Sequence, residues 1–302
     1  MTTVNTPNAK AGAISMLIAM AVIGTIDNFI SVLAGEIGMW QFQALRSVIA
    51  LPILAALAYV GFGTLKAKSF KWVFIRNLVM SIAILFYFSA LAFLPISAAL
   101  AGLLTSPIWV VLITALFRGV SVGPIRYVAV SIGFAGTLLV LDFSWADMSF
   151  ASILPLCSGL IYAIAAIITR DYCADESPIS MLAMTNAINL TMGCIMLGVL
   201  AVIDPVVPAG NDGFLVRGWV WPMETAWPWV VLQSIGSLIG VGFIIRAYQI
   251  AEASYVAIFE YSIFVFGLTA AFLLVGDVPD MMQLIGIGLI VFAGGLIAFR
   301  LS

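Results

Sequence analysis

Residues 255–276 read YVAIFEYSIFVFGLTAAFLLVG. The stretch is apolar and long enough to cross the roughly 30 Å hydrocarbon core of a bilayer as a helix. It nevertheless carries one charge, Glu260, about a third of the way in. A charged side chain at such depth costs about 2.5–3.5 kcal/mol on insertion scales, so the fold or the chemistry must offset that cost. Two expectations follow: a helical membrane protein, and a functional candidate in Glu260.

The composition around this stretch agrees. The chain has 302 residues, of which 64% are hydrophobic and 9% charged, and its mean hydropathy is +1.20. A soluble domain carries roughly 25% charged residues. The net charge of −2 and the lack of a Lys/Arg run leave no footprint for a nucleic-acid partner. Cys157, Cys173 and Cys194 have no paired spacing, so buried free thiols are expected rather than a disulfide or metal framework. There is no histidine, which removes imidazole bases and ligands. No GxxxxGK[ST] loop supplies a nucleotide-driven motor. Neither a cofactor, a metal nor a catalytic residue is expected.

Ten apolar stretches have spanning length, near 11–31, 40–61, 73–93, 95–117, 124–142, 149–169, 179–203, 228–248, 253–275 and 281–300. Alternating ten-residue barrel strands are absent, so the expected fold is all-α with ten transmembrane helices. Residues 1–10 form a polar tail, and the first apolar run lacks a cleavage site, which reads as a retained first helix. Placing both termini in the cytoplasm puts Lys10, Lys66, Lys68, Lys71, Arg76, Arg118, Arg126, Arg170, Arg246 and Arg300 on or near the inner side. Only Arg217 then lies outside, and Arg46 falls within the second helix, as the positive-inside rule requires. The same placement brings Trp40, Trp145, Trp219, Trp221, Trp227 and Trp229 to the outer interface, where amphipathic rings settle. The long segment 204–227 is then an extracytoplasmic loop, serving as an interfacial lid or a passive connector.

The two halves look alike. "GFAGTLLVL" in the fifth helix matches "VFAGGLIAF" in the tenth, and each follows a related helix, "PISAALAGLLTSPIWVV" and "AEASYVAIFEYSIFVF". A repeat of five helices is inverted in the membrane, because an odd number reverses direction. The expected units are 11–142 and 149–300, placed around a central cavity.

"WQFQALRSVIAL", "ALAFLPISAALAGLLTSPIWVVLITALF", "GLIYAIAAIITRDYCADESP" and the stretch from Tyr255 to Gly295 together resemble the EamA-type family of the drug/metabolite transporter superfamily. The resemblance covers about residues 11–300. It implies two inverted five-helix repeats, with helices one to four and six to nine around a cavity and helices five and ten at the back. It also implies transport of amino acids or related metabolites, with relatives that carry S-adenosylmethionine or riboflavin. Many members have a Gly-Glu pair after helices four and nine. This chain has Arg118-Gly119 and Gly276-Asp277 instead, so no role passes to those positions.

On a helical period Ala253, Ala257, Glu260, Phe264, Gly267 and Ala271 share a mostly small face, which packs against helices rather than lipid. Glu260 therefore points into the bundle, as a pathway acid or as structural glue, and Tyr261 beside it offers a hydroxyl. Asp27 and Asn28 lie near the outer end of the first helix, at a depth similar to Arg46. An Asp27–Arg46 pair and a snorkelling Arg46 are both open; facing a cavity, Arg46 suits a substrate carboxylate. Trp109 lies near mid-membrane beside Pro107, which frees backbone groups around "TSP". Tyr87, Gln43, Asn186, Asn189 and Tyr248 complete an amphipathic set of lining candidates. Gly236 and Gly240 read as a close-packing contact.

These residues indicate a secondary transporter of a small zwitterionic or cationic metabolite in the inner (plasma) membrane, working by alternating access with proton coupling or exchange. Its partners would be that substrate and membrane lipid, and a homodimer is compatible. A riboflavin-type uptake carrier, a non-transporting scaffold and an intramembrane enzyme are the alternatives. The enzyme would need an aspartyl dyad, and "LVGDVP" lacks the GxGD pattern.

Overall fold

The computed structural model describes residues 8–90, 96–117, 123–141, 143, 153–275 and 278–299. The junction between the expected spans 73–93 and 95–117, the Arg118-Gly119 and Gly276-Asp277 positions, Trp145, and both extreme termini lie outside the described residues. The described residues are helical, with no strand among them. In chain order the helices are α1 (Ala9–Asp27), α2 (Ile30–Glu36), α3 (Met39–Tyr59), α4 (Phe70–Ala90), α5 (Ile96–Leu103), α6 (Ser106–Phe117) and α7 (Pro124–Val140). They continue as α8 (Ile153–Tyr172), α9 (Pro178–Ile203), α10 (Trp227–Ile250), α11 (Ala253–Val256), α12 (Ile263–Val275) and α13 (Met281–Phe299). Eight helical runs are long and apolar enough to cross a membrane, and the helices over 124–140 and 281–296 are apolar but shorter.

Burial runs opposite to that of a soluble protein. Large apolar side chains face outward, such as Phe117 at 81% and Val202 at 86% exposure, while Arg76, Asn77, Ser158, Thr169 and Glu260 are buried. Lipid solvates the first group and only other helices can satisfy the second.

The helices pack through small residues. The most extensive pairs are α7 with α13, α1 with α10, α3 with α9, and α4 with α8. A Cβ on Gly136 would stand 2.7 Å from the Gly286 carbonyl oxygen, and one on Gly286 would stand 2.6 Å from the Gly136 oxygen, so α7 and α13 touch backbone to backbone. Gly236 and Gly240 of α10 receive Ile26 and Ile23 of α1, the close contact their spacing implies. Buried hydrogen bonds between helices add to this close approach.

Three spans are interrupted, and of these only the one at Pro107 is marked in the sequence. The first span breaks at Asn28, whose amide donates to the Gly24 and Thr25 carbonyls freed there (2.9 and 3.3 Å). The fourth breaks at Leu104–Thr105, one turn before Pro107, which has no N–H to continue the ladder. The ninth starts as α11, tightens into a 3-10 segment over Ala257–Ser262 and becomes α12. The expected 3.6-residue face through Glu260 is therefore not kept. Residues three apart eclipse in a 3-10 turn, so Glu260 and Gly267 address different neighbours.

Segment 204–226 is docked rather than loose. The Gln41 side chain exchanges two 2.8 Å hydrogen bonds with the Val220 backbone, and Trp40 Nε1 donates to the Leu215 carbonyl at 3.0 Å. Arg217 donates to the Ala34 and Ile37 carbonyls at the end of α2 (2.7 and 3.1 Å) and to Gly210 (2.6 Å). Phe214, Met223 and Ala226 are buried beneath it. Trp219 and Trp221 stay exposed, as rings at a membrane surface would be.

Candidate functional site

The breaks in the fourth and ninth helices meet. Glu260, in the 3-10 segment, is 4% exposed. Its Oε1 accepts hydrogen bonds from Tyr248 of α10 (2.5 Å) and Tyr162 of α8 (3.1 Å). Its Oε2 accepts from Ser106, the first residue of α6, at 3.2 Å. No cation pairs with it among the described residues. A buried carboxylate needs several donors to be tolerated, and here they arrive from three other helices. Because the interruptions expose Ser106 and Glu260 at helix ends, each can reach across the bundle.

Tyr261 does not join this cluster. Its ring packs on Gly133 of α7, where a Cβ would meet it at 2.5 Å, and its hydroxyl is buried without a partner. Consecutive residues of a helical turn point about 100° or more apart, so Glu260 and Tyr261 face different helices.

A second network begins at Arg76. The charge pattern groups this residue with the inner-side cations, but it lies well inside α4 and is 1% exposed. Its Nε donates to Thr169 Oγ1 of α8 (2.9 Å) and Nη1 to Asn77 Oδ1 (2.8 Å). Asn77 Oδ1 also accepts from Thr185 of α9 at 2.5 Å. The guanidinium interacts electrostatically with the hydroxyls of Tyr162 and Tyr248, the pair that donates to Glu260. Proximity to Lys66, Lys68 and Lys71 in the sequence disguised Arg76. A signal was available in the adjacent Asn77, since an Arg-Asn pair inside an apolar helix must be turned inward.

Two small clefts adjoin this network. One, of about 260 Å3, is lined by Arg46, Thr185, Asn186, Asn189 and Ser237 together with apolar residues. The other, of about 250 Å3, is lined by Trp40, Gln43, Ser81 and Asn189 among others. Asn189 is common to both and accepts a hydrogen bond from Ser81 at 3.4 Å. Gln43 keeps a buried, unpartnered Oε1, and the Asn186 amide is turned to the Leu182 carbonyl at 2.9 Å.

Arg46 stands over the Phe42 ring at 5.3 Å, with Nε unpartnered. It interacts electrostatically with Asp27 without closing a direct ion pair. Asp27 keeps accessible surface, lies near Gln233, whose amide donates to the adjacent Ile26 carbonyl at 2.7 Å, and is within electrostatic reach of Tyr87. Asn28 is committed elsewhere, bridging α1 to the Gly267 carbonyl of α12 at 3.2 Å. Trp109 donates to Thr105 Oγ1 within its own break at 3.1 Å. Thus Glu260 and Tyr248 come together, as do Asp27, Arg46 and Tyr87, whereas Asn28, Trp109 and Tyr261 lie outside both groups. Tyr162, Ser106, Arg76, Asn77 and Thr185 join the site without having been singled out in the sequence.

Among the described residues no cluster of Cys, Asp and Glu could hold a metal ion. Cys173 is buried, and that burial pushes its thiol up to about 11, which keeps it protonated and unreactive at neutral pH.

A bundle of apolar helices that buries charged groups around polar clefts defines a multi-pass membrane protein of the transporter type. The sequence model of the EamA-like transporter family matches residues 10–142 and again 149–299, and the chain belongs to that family. It is 26% identical over 295 residues to a riboflavin transporter of Vibrio cholerae, covering 93% of this chain and 91% of that protein. It is 24% identical over 287 residues to a pseudopaline exporter of Pseudomonas aeruginosa, covering 94% of each. A solved crystal structure superposes with a TM-score of 0.77 at 17% identity, covering 96% of this chain and 98% of its own, a likeness of fold.

Proposed function

We propose that this protein is a secondary transporter of a small polar metabolite with a cationic or zwitterionic character, moved across the plasma membrane by alternating access. The observation that carries the reading is the Glu260 carboxylate. It is buried at a helix break, has no cation paired with it among the described residues, and is held by hydroxyls from both family-matched segments: Ser106 from the first, Tyr162 and Tyr248 from the second. A carboxylate held only by hydroxyls can exchange them for a substrate cation or a proton, whereas one locked to a protein cation cannot. Intramembrane acids facing a bundle interior mark pathways and relays.

The helix pairing supports an inverted repeat. Exchanging the two halves, span one for six through five for ten, turns the α1–α10 pair into α8–α4. It returns α3–α9 and α7–α13 to themselves. It also exchanges the two broken spans whose interruptions meet at Glu260. Rocking of one repeat against the other around such a site is the transport motion this arrangement favours.

The names of the relatives favour a second reading of the cargo, a riboflavin-type vitamin, with the Tyr162 and Tyr248 rings as stacking surfaces. Purified protein in vesicles with an imposed pH gradient tests both readings, using labelled amino acids, S-adenosylmethionine and riboflavin in parallel. Saturable accumulation of one compound supports transport and names its class. Retention of none above protein-free vesicles overturns the reading.

Two further results are expected. In a cysteine-free background, Val206→Cys and Lys66→Cys, both at exposed loop positions, should react with an impermeant thiol reagent from opposite sides of the membrane. Lys66 should react from the cytoplasm; labelling of both from one side contradicts the topology. For Arg46, substitution by Lys keeps the charge but loses the planar fork and its stacking on Phe42. Affinity for the transported compound should fall about tenfold, the worth of one charge-assisted hydrogen bond. An unchanged affinity would remove Arg46 from the binding cleft.

A further inference from the structure

Arg76 has an unfinished coordination. A guanidinium carries five N–H donors. Here Nε and Nη1 are bonded to Thr169 and Asn77, while Nη2 has no hydrogen-bond partner among the described residues. The side chain is 1% exposed, yet no carboxylate lies within ion-pair distance among the described residues. The groups that face it are Asn77 on its own helix, Thr169, Tyr162 and the Cys173 thiol from α8 and the turn after it, and Tyr248 from α10. None of these is an anion at neutral pH. An unpaired buried cation is strongly unfavourable, and fully apolar replacements of buried charges are often more stable. A structural tie between α4 and α8 would need only a neutral donor, so the full charge calls for an anion that none of the described residues supplies.

A chain of polar contacts leads from one cleft to Arg76. Thr185 lines the Arg46 cleft and hydrogen-bonds Asn77, which in turn holds Arg76. The two tyrosines that donate to Glu260 also lie within electrostatic reach of Arg76. We propose that Arg76 is the anion anchor of the cargo site, taking a carboxylate or phosphate group of the transported molecule on its Nη2 edge while Glu260 faces the cationic or proton-bearing part. The identity of the occupant rests on the transporter reading; the oxyanion site itself does not. The cargo is accordingly a molecule with an oxyanion as well as a cationic or protonatable group, a narrower class than one Arg and two acids would define. Planar carboxylates fit the guanidinium fork in a bidentate manner, and phosphates do so through two oxygens.

Sodium acetate and inorganic phosphate serve as the probes, titrated into purified, detergent-solubilised protein against sodium chloride at matched ionic strength, with thermal unfolding as readout. Saturable binding to the folded state raises the unfolding temperature as the anion concentration exceeds its dissociation constant. At least one oxyanion should do so, and which arm responds separates a carboxylate from a phosphate cargo. Arg76→Gln should weaken that response at least about tenfold, and Lys66→Gln, at an exposed loop cation outside both clefts, should leave it unchanged. Arg76→Lys, which retains the charge, provides a folded comparison if the glutamine variant does not fold, and should show an intermediate response. No saturable effect of either anion on the parent overturns the proposal. So does a parent-like response in Arg76→Gln or Arg76→Lys, or a response lost equally in Lys66→Gln. Failure of vesicle uptake with an intact anion response would instead reject the transporter reading and keep the site.

Discussion

Glu260→Gln is expected to abolish accumulation of the transported compound in vesicles, a loss of about 100-fold or more if it removes a buried ion pair worth 3–5 kcal/mol. Glutamine preserves size and can still accept hydrogen bonds through its one carbonyl oxygen, but it cannot ionise. The three hydroxyl contacts of Glu260 are therefore largely retained, and the fold should be little affected. What disappears is the charge. If Glu260 binds the cationic part of the substrate, equilibrium binding is lost together with accumulation. If it carries the coupling proton, binding and substrate exchange persist while uphill accumulation driven by the pH gradient disappears. Tyr248→Phe, which removes the hydroxyl 2.5 Å from Oε1, should act in the same direction with a smaller effect. A glutamine variant that binds, exchanges and accumulates like the parent would make Glu260 structural glue between α6, α8 and α10.

Gly159→Val should be the most damaging substitution outside the charged groups. On α8, a Cβ at Gly159 would stand 2.6 Å from Thr105 Oγ1, 2.8 Å from the Gly102 oxygen and 2.9 Å from the Leu103 oxygen. Two of these obstacles are backbone, at the break between α5 and α6, and cannot rotate aside. Overpacking of this kind costs about 1–3 kcal/mol and more where backbone must shift. Relief requires moving α8 from the break, which separates Tyr162 and Ser106, two of the three donors to Glu260. Thermal unfolding should shift down and transport should fall in any protein that still folds. Gly198→Val on α9 is the matched comparison, because nothing lies within 4 Å of its Cβ direction. Equal unfolding temperatures for the two variants would show that the α8–break contact is not tight.

Glu260 could be singled out in the sequence because a lone carboxylate in an apolar run is energetically conspicuous wherever it points. Tyr248 and Tyr261 were equally visible as candidates, and nothing local distinguishes them. Their difference arises because the 3-10 segment turns Glu260 toward α8 and α10 while Tyr261 settles on Gly133. Asn28 shows the opposite limit. Its polarity and depth resemble those of a lining residue, yet the broken end of α1 consumes its amide. Arg76 was hidden for a third reason. Charge counting assigns a cation near a helix end to the nearer aqueous side, and only the packing of α4 against α8 and α9 shows that it is turned inward.

The sequence by itself determined that the protein is helical and lies in a membrane, because hydropathy and span length are properties of each segment alone and the bilayer reads them one segment at a time. It also determined where the helices would be interrupted around Pro107, since a missing N–H acts within its own turn. Only the tertiary structure decided which side chains share a site. Ser106, Tyr162 and Tyr248 lie 154, 98 and 12 residues from Glu260 along the chain, and Arg76 meets Thr169 across 93. Contacts at such separations depend on which small faces let which backbones approach, and that is a joint property of several helices which no single segment carries.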